Sequence, residues 1–383
     1  MNVLLIKLKE RSLISSRIKA SLMKVIQLLP NLNEGGVERG TVEMNREFSR
    51  RGIDSFVGSA GGKLVNCIEN DGGRHVNLSL SSKNILSFPL RIIHLRKVLK
   101  DLRPDIIHAR SRIPAWLTKL AKVNVPFITT VHGINSVNFY SRVMSLGDQV
   151  ICVGEPVRDH IVRNYKTDLS KITVIPRGVD ISYFDPDAVD NEKVDQFVRK
   201  LDLKNKFTIC SVGRITRKKD YETLISAIGR LDTPNKNVRV IIIGGARTEN
   251  DSYAKNLKNK ASYVCPGKFE WLGSRQDMRE IYASSDVVVN SSPLMGNVAR
   301  TITEAIAMGK PVISTSMMGL NHVIKDGING YLFEQGSVLS LKEKLELLIS
   351  KPIINTRGTL PSEFTLNSMV ESTVEVYKNA LRR

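Results

Sequence analysis

The chain has 383 residues, 42% hydrophobic and 25% charged, a composition that suits a globular protein of two or more domains. Its 57 basic residues outnumber 38 acidic ones, and residues 1 to 180 hold most of the excess, with 28 basic and 15 acidic residues. No apolar run reaches the roughly 18 residues of a spanning helix, and the four cysteines (Cys67, Cys152, Cys210, Cys265) lack metal-site spacing.

Residues 1 to 22 carry five cations (Lys7, Lys9, Arg11, Arg17, Lys19) and one acid, Glu10. They read either as an interfacial amphipathic helix or as sequence upstream of a start at Met23. From Met23 the pattern alternates strand and helix. Strands are expected at Val25–Leu29, Ser55–Ser59, His75–Leu78, Ile106–Ala109, Phe127–Val131, Gln149–Val153 and Ile172–Ile175, with helices such as Val37–Arg51 and Leu90–Leu102 between them. Short apolar strands with helical connections imply a parallel sheet covered on both faces. A polar join runs from about Asp180 to Asp202. A second series follows: strands at Phe207–Val212, Val238–Ile243, Phe269–Trp271, Val287–Asn290 and Pro311–Ser314, with helices at Tyr221–Leu231, Arg275–Ala283, Val298–Met308 and Val338–Ser350. After the breakers Gly358 and Pro361, Leu366 to Leu381 reads as a helix that returns to brace the first domain. The expected division is an extension at 1–22, a first domain at 23–185, a second at 186–360 and a C-terminal helix in 361–383. The fold class is α/β, two doubly wound domains with ligands at the carboxyl ends of strands facing a cleft.

The strongest chemical signal is Val212-Gly213-Arg214-Ile215-Thr216-Arg217-Lys218-Lys219. It is a strand end, a glycine turn and two cations five residues apart. Arg214 brings a planar fork of donors and Lys219 a mobile point charge, and the following helix start adds partial positive charge. Together they suit a diphosphate. Gly244-Gly245, after Val240–Ile243, is a strand-end glycine pair suited to a base or a phosphate. Glu304, in Arg300 to Ile313, could accept bonds from two vicinal ribose hydroxyls. A diphosphate clamp followed by a hydroxyl-binding acid is what a nucleotide-sugar site needs.

In the first half, Gly35-Gly36 joins a strand to a helix, where backbone can approach a ligand and an anion is favoured. A tight turn explains the same spacing. His108 (in Pro104-Asp105-Ile106-Ile107-His108-Ala109-Arg110) and His132 (in Val131-His132-Gly133) end successive strands and should share a crevice. Without a third ligand nearby in sequence, zinc does not fit. Val174 to Asp180 reads as an interdomain turn, and Asp185 and Asp187 form a D-x-D pattern taken as turn chemistry. The basic first half suits an anionic membrane surface better than nucleic acid, because 6% aromatic residues show no basic–aromatic interleaving. A cytoplasmic setting is expected, with the inner face of the cytoplasmic membrane as the finer placement.

From about Met23 to Ser350 the chain resembles retaining glycosyltransferases of the GT-B fold, family 4 (the group 1 transferases), above all members that build lipopolysaccharide cores and related bacterial surface glycans. The resemblance rests on Gly35-Gly36-Val37-Glu38, the two histidine strand ends, Val174 to Asp180, the Gly213-Arg214/Lys219 clamp, and Glu304 through Pro311 as the second half of an E-x7-E signature. It implies that Arg214 and Lys219 hold the donor diphosphate and stabilise the departing nucleotide, that Glu304 binds ribose, and that His132 with Gly35-Gly36 contacts the transferred sugar and phosphates. It makes His132, Arg214 and Lys219 the catalytic group. Gly213, Gly244, Gly245 and Asn297 become donor contacts, and His108 and Arg110 acceptor-side residues. It also implies retention, no cofactor and no divalent metal. The partners would be a nucleotide sugar, an anionic lipid-linked or oligosaccharide acceptor, and a membrane surface that holds the protein peripherally; nucleic acid is not expected.

Two departures stand out. Gly296 occupies the place of the first signature glutamate, within Pro293 to Arg300, and His322 stands where an acid is common. Asn297 or Asn290 could substitute as hydroxyl partner. A catalytically weakened protein that binds nucleotide or glycan as a scaffold is the alternative, and an epimerase of the same fold would need acids that the sequence does not show.

Overall fold

The computed structural model describes residues 23–382 except 34, 83, 85, 233–236, 247, 249, 250, 294, 295 and 317–319. The expected 1–22 segment lies outside the described residues. The chain packs as two units: Met1–Pro176 with Ser368–Arg383, and Arg177–Asn367.

The first unit alternates β1 (Lys24–Leu28), α1 (Gly36–Arg50), β2 (Asp54–Ser59), α2 (Val65–Asn70), β3 (Arg74–Asn77), α3 (Phe88–Leu102), β4 (Ile106–Ala109), α4 (Arg112–Ala121), β5 (Phe127–Val131), the single turn α5 (Phe139–Arg142), β6 (Gln149–Cys152), α6 (Glu155–Tyr165) and β7 (Ile172–Val174). Its sheet runs β3-β2-β1-β4-β5-β6-β7, and every pairing is parallel. The central strands are buried along their whole length, which is why they lack the regular apolar–polar alternation of a strand with one wet face. Between β1 and β4 the order reverses, and the carboxyl end there is where an open α/β sheet accepts ligands.

The second unit holds α7 (Asn191–Lys200), β8 (Phe207–Val212), α8 (Tyr221–Gly229), β9 (Val238–Ile243), α9 (Ser252–Val264), β10 (Phe269–Trp271), α10 (Met278–Ala283), β11 (Val287–Asn290), α11 (Arg300–Ala307), β12 (Val312–Thr315), β13 (Gly330–Phe333) and α12 (Val338–Ser350). Its sheet, β10-β9-β8-β11-β12-β13, is again wholly parallel, with its reversal between β8 and β11. Strand β13 was not among the expected elements. Gly330 permits it, because a Cβ there would stand 1.9 Å from the Val312 carbonyl oxygen.

The passage between units falls at Pro176, earlier than the expected 185. The reason is local pairing. The Val179 amide donates to the Phe364 carbonyl and the Leu366 amide to the Val179 carbonyl (2.8 Å each), and a Cβ on Gly178 would stand 2.4 Å from the Thr365 oxygen. Residues 177 to 185 are thereby woven into the second unit. The D-x-D pair behaves as turn chemistry there: Asp185 accepts from the Asp187 amide at 3.0 Å, and Arg357 pairs with both carboxylates.

Helix α13 (Leu366–Leu381) belongs to the first unit from Ser368 onward. Its buried residues Met369, Val370, Thr373, Val376, Tyr377 and Ala380 recur at three- and four-residue steps, the stripe of an amphipathic helix. Tyr377 packs its ring 5.8 Å from that of Phe48 on α1. The C-terminal helix thus braces the N-terminal unit. Among the described residues, no helix is long and apolar enough to cross a membrane.

Candidate functional site

At the carboxyl edge of the second sheet, β8 ends in Gly213 and the chain turns through Arg214. A one-turn 3-10 helix, Arg217–Lys219, then brings Lys219 back over the strand end. A Cβ on Gly213 would stand 2.6 Å from Lys219 Cε, so glycine is needed for the lysine stem to lie there. A Cβ on Gly244, whose φ is 136°, would stand 2.1 Å from the Gly213 carbonyl oxygen. Two strand ends therefore approach at backbone distance, which only glycine allows. The turn is held from several sides. Tyr221 donates its hydroxyl to the Gly213 carbonyl at 2.7 Å, Ser291 donates to the Lys219 carbonyl at 2.9 Å, and the Ile215 amide donates to Gly245 at 3.0 Å. Asp220 adopts a left-handed conformation and caps α8 through the Thr223 amide and hydroxyl.

The electrostatics follow from this geometry. Arg214 is exposed while Lys219 is half-buried. Burial first, and the Arg214 charge second, lower the Lys219 amine from its ordinary value. Two cations held together with one of them desolvated make an environment that an anion relieves. Gly245 has open space where a side chain would be, leaving room for a ligand beside its backbone.

Glu304 sits on α11, which follows β11 at the same edge of the sheet. Its carboxylate is buried and already partnered: Tyr282 donates to Oε2 at 2.9 Å and Arg300 Nε to Oε1 at 3.1 Å. A carboxylate has about four acceptor sites, so capacity for hydroxyls is left. Sequence reasoning assigned no role to these two partners. The four-residue step from Arg300 to Glu304 is a readable signal; Tyr282, on another helix, leaves none. Gly296 is buried with φ 74°, a left-handed backbone that side chains rarely adopt. The residue in the place of the expected glutamate is therefore a conformational requirement of this loop as well as a missing carboxylate. Asn297 is half-buried beside it. Asn290 is spent internally, donating to Ser314 Oγ and accepting from Ser292 Oγ. His322 lies exposed and packs its ring 5.6 Å from that of Phe364.

In the first unit, His132 is half-buried directly after β5, followed by Gly133. Gly35 caps α1, and a Cβ on it would stand 2.4 Å from Glu38 Oε2. The first turn of α1 therefore already has an acid beside it, which an incoming phosphate would have to displace.

His108 and Arg110 correct the expectation of acceptor contact. His108 is 1% exposed, and both ring nitrogens are engaged, Nδ1 with the Tyr377 hydroxyl at 2.7 Å and Nε2 with Thr130 Oγ1 at 2.6 Å. Burial, with the nearby Arg110 charge, holds it well below its ordinary value and so neutral. Arg110 is itself buried and donates to Gln27 Oε1 at 2.9 Å. At the reversal between β1 and β4, His108 seats the C-terminal helix through Tyr377 while Arg110 is held on Gln27 of β1, and both are buried.

Comparison with known proteins accounts for both units. The model of the glycosyl transferases group 1 matches residues 193–360, and that of glycosyltransferase family 4 matches 34–183. The chain is a GT-B glycosyltransferase. Its fold is shared by a crystal structure of a glycosyltransferase from Rickettsia africae (TM-score 0.84, 29% identity, covering 94% of this chain and 99% of that one). It is shared too by Anabaena HepE in complex with UDP and glucose (TM-score 0.82, 19% identity, 93% and 100%). Among curated relatives, the UDP-Gal:alpha-D-GlcNAc-diphosphoundecaprenol alpha-1,3-galactosyltransferase of Escherichia coli is 24% identical over 380 residues, spanning 92% of this chain and 95% of that protein.

Proposed function

We propose that this glycosyltransferase moves a sugar from a nucleoside-diphosphate donor to a lipid-linked or oligosaccharide acceptor in bacterial surface-glycan synthesis. Transfer proceeds with retention of the anomeric configuration and without a divalent metal, at the inner face of the cytoplasmic membrane. The observation that carries the reading is Lys219 laid over Gly213 beside Arg214, a paired-cation turn at the reversal of the second sheet. Arg214 and Lys219 bind the diphosphate and meet the charge that grows on it as the glycosidic bond breaks, which is electrostatic catalysis. The leaving phosphate takes the acceptor proton. Glu304, oriented by Tyr282 and Arg300, accepts the ribose hydroxyls, and His132 lines the sugar side. The UDP and glucose of HepE and the diphosphoundecaprenol in the name of the E. coli relative support the two substrate classes.

One observation favours a second reading. Gly296, in a left-handed turn, brings no carboxylate to the position where the resemblance puts the acid that holds the donor sugar's hydroxyls. Loss of one charge-assisted hydrogen bond costs about 1.5 to 3 kcal/mol, enough to slow transfer and leave a nucleotide-binding scaffold. A nucleotide-release assay separates the two. Purified protein is offered UDP-, GDP- and ADP-sugars in EDTA, with and without a lipid extract. Release from one donor supports the transferase. Silence across the panel, with nucleoside diphosphate still bound in calorimetry, favours the scaffold.

A further inference from the structure

Helix α3 carries its ordinary amphipathic stripe inward, through the buried Arg91, Leu95 and Leu99. The opposite stripe should be polar. Instead, positions 90, 93, 97 and 100, which follow the three-four spacing of one helix face, read Leu, Ile, Lys, Lys, and Leu86 stands in the turn just before them. Leu86, Leu90 and Ile93 are 88%, 72% and 63% exposed. Helix α3 packs against α4, and Arg96 Nε donates to the Ala121 carbonyl between them at 2.6 Å. The outer side of α4 continues the surface through Trp116. Its ring packs 5.0 Å from that of Phe139 (75% exposed), and its Nε1 donates to the Tyr140 carbonyl at 2.9 Å. Arg112 lies over the Tyr140 ring at 4.9 Å.

The charge of this layer is one-sided. Residues 88–103 and 112–122 hold eight lysines and arginines and one acid, Asp101. Arg103 and Lys122 end their helices in left-handed conformations (φ 50° and 48°) that glycine would adopt at less cost, so cations stand where conformation alone favours another residue. Cavities of about 650 and 620 Å³ open at the amino-terminal edge of the sheet, lined by Arg96, Lys100 and Arg103 and by Lys119, Lys122 and Lys171.

We infer that this α3–α4 layer, with the Phe139–Tyr140 turn, is a docking face for an anionic lipid bilayer. It rests on the reading that the acceptor is lipid-linked. Leu86, Leu90, Ile93 and Phe139 enter the interface. Trp116 and Tyr140 sit at its boundary, as aromatic residues with one wet end do. The lysines and arginines answer the lipid phosphates, their stems lying along apolar surface. The apolar ends of α3 and α4 lie at the carboxyl edge of the first sheet, the edge on which His132 and Gly133 stand. An acceptor anchored in the bilayer thereby reaches the sugar side of this unit without leaving the membrane. A protein partner fits less well, because protein interfaces are depleted in lysine at their cores and the exposed cations of this face are Lys97, Lys100, Lys119 and Lys122 with Arg103.

The test is co-sedimentation of the full chain, without donor, with phosphatidylcholine vesicles that contain or lack phosphatidylglycerol. Binding should require the anionic lipid and weaken with salt. Replacing two surface lysines (K97Q with K100Q) should weaken it about thirtyfold, and Leu90→Ser with Ile93→Ser at least about tenfold. All four residues are exposed, so thermal melting should not move, and nucleotide release in solution should persist. Failure of the wild-type chain to bind anionic vesicles overturns the docking face, as does binding indifferent to both pairs of substitutions. A wild-type dimer that the same substitutions dissolve overturns it in favour of a second copy. If nucleotide release continues while vesicle binding fails, the face is wrong and the transferase stands. Vesicle binding that follows these substitutions, with no nucleotide release, supports the face and removes the transferase.

Discussion

The two sheets reverse strand order at corresponding places, between β1 and β4 in one unit and between β8 and β11 in the other, yet they furnish those places differently. In the second unit the groups beside the reversal are an exposed Arg214 and a half-buried Lys219, with Gly213 and Gly244 at the ends of β8 and its other neighbour β9. In the first, His108, Arg110 and Gln27 are buried and bonded to other protein groups, and Tyr377 of the C-terminal helix completes their set. Among the described residues, one carboxyl edge leaves its cations without a buried polar set around them. The other is largely consumed in holding the chain's own last helix, which leaves His132, one strand further out, as the nearer candidate for substrate contact. A polar residue at a strand's carboxyl end is therefore a weak functional sign until its partners are known.

The largest effect expected from breaking this contrast is at the clamp. Arg214→Ala or Lys219→Ala should each lower donor turnover by about a hundredfold or more while leaving the melting temperature nearly unchanged, as read by nucleotide release beside calorimetric melting. On the other side, His108→Ala leaves the Tyr377 and Thr130 hydroxyls unpartnered in a buried site. It should destabilise the protein by about 2 to 3 kcal/mol in denaturant melts, with little change in turnover for the fraction that stays folded. An opposite result, with His108→Ala lowering turnover at full stability, would return that histidine to the substrate.

A smaller effect sharpens the same point through pH. His108 is held neutral, its folded value well below the ordinary 6.5. The unfolded chain therefore binds a proton below pH 6.5 that the folded chain does not. The stability this histidine contributes is present above pH 6.5 and is lost as pH falls from there toward the depressed folded value, at up to about 1.4 kcal/mol per pH unit. The loss between pH 7 and pH 5.5 should be smaller in a His108→Gln variant, which has no imidazole to charge. Equal losses in the two proteins would show that the imidazole does not titrate on unfolding. The smallest effect is at Gly296. Gly296→Glu should cost about 1 kcal/mol of backbone strain without raising nucleotide release; a clear gain in rate would mean that the missing carboxylate alone limits the enzyme.

Much of the fold was legible because parallel strands buried on both faces are short, mostly apolar and β-branched. Phe207–Val212, Val238–Ile243 and Phe127–Val131 fall where the pattern places them. Strand β13 escaped notice because four residues hemmed by glycines, Gly327 before it and Gly330 within it, read as a turn until Val312 supplies a pairing partner. Helix α7 was taken as part of a polar join, since Phe197 is its one buried residue. Within the site, the glycine and charge spacing of Gly213 to Lys219 was readable because the constraint is local: strand end, glycine and lysine stem all lie between Val212 and Lys219. Tyr282 on Glu304 and Tyr377 on His108 were not, because each joins elements that only the folded chain brings together. Gly296 was read as a loss of chemistry when its φ of 74° makes it a matter of backbone as well.

The central claim is that Arg214 and Lys219 form a diphosphate clamp, and calorimetric titration tests it most directly. UDP, GDP and ADP would be compared with their monophosphates on the wild-type chain and on Lys219→Ala. The account predicts that one diphosphate binds clearly more tightly than its monophosphate, and that Lys219→Ala removes most of the difference. Equal affinity for mono- and diphosphate, or a difference that survives Lys219→Ala, would contradict it.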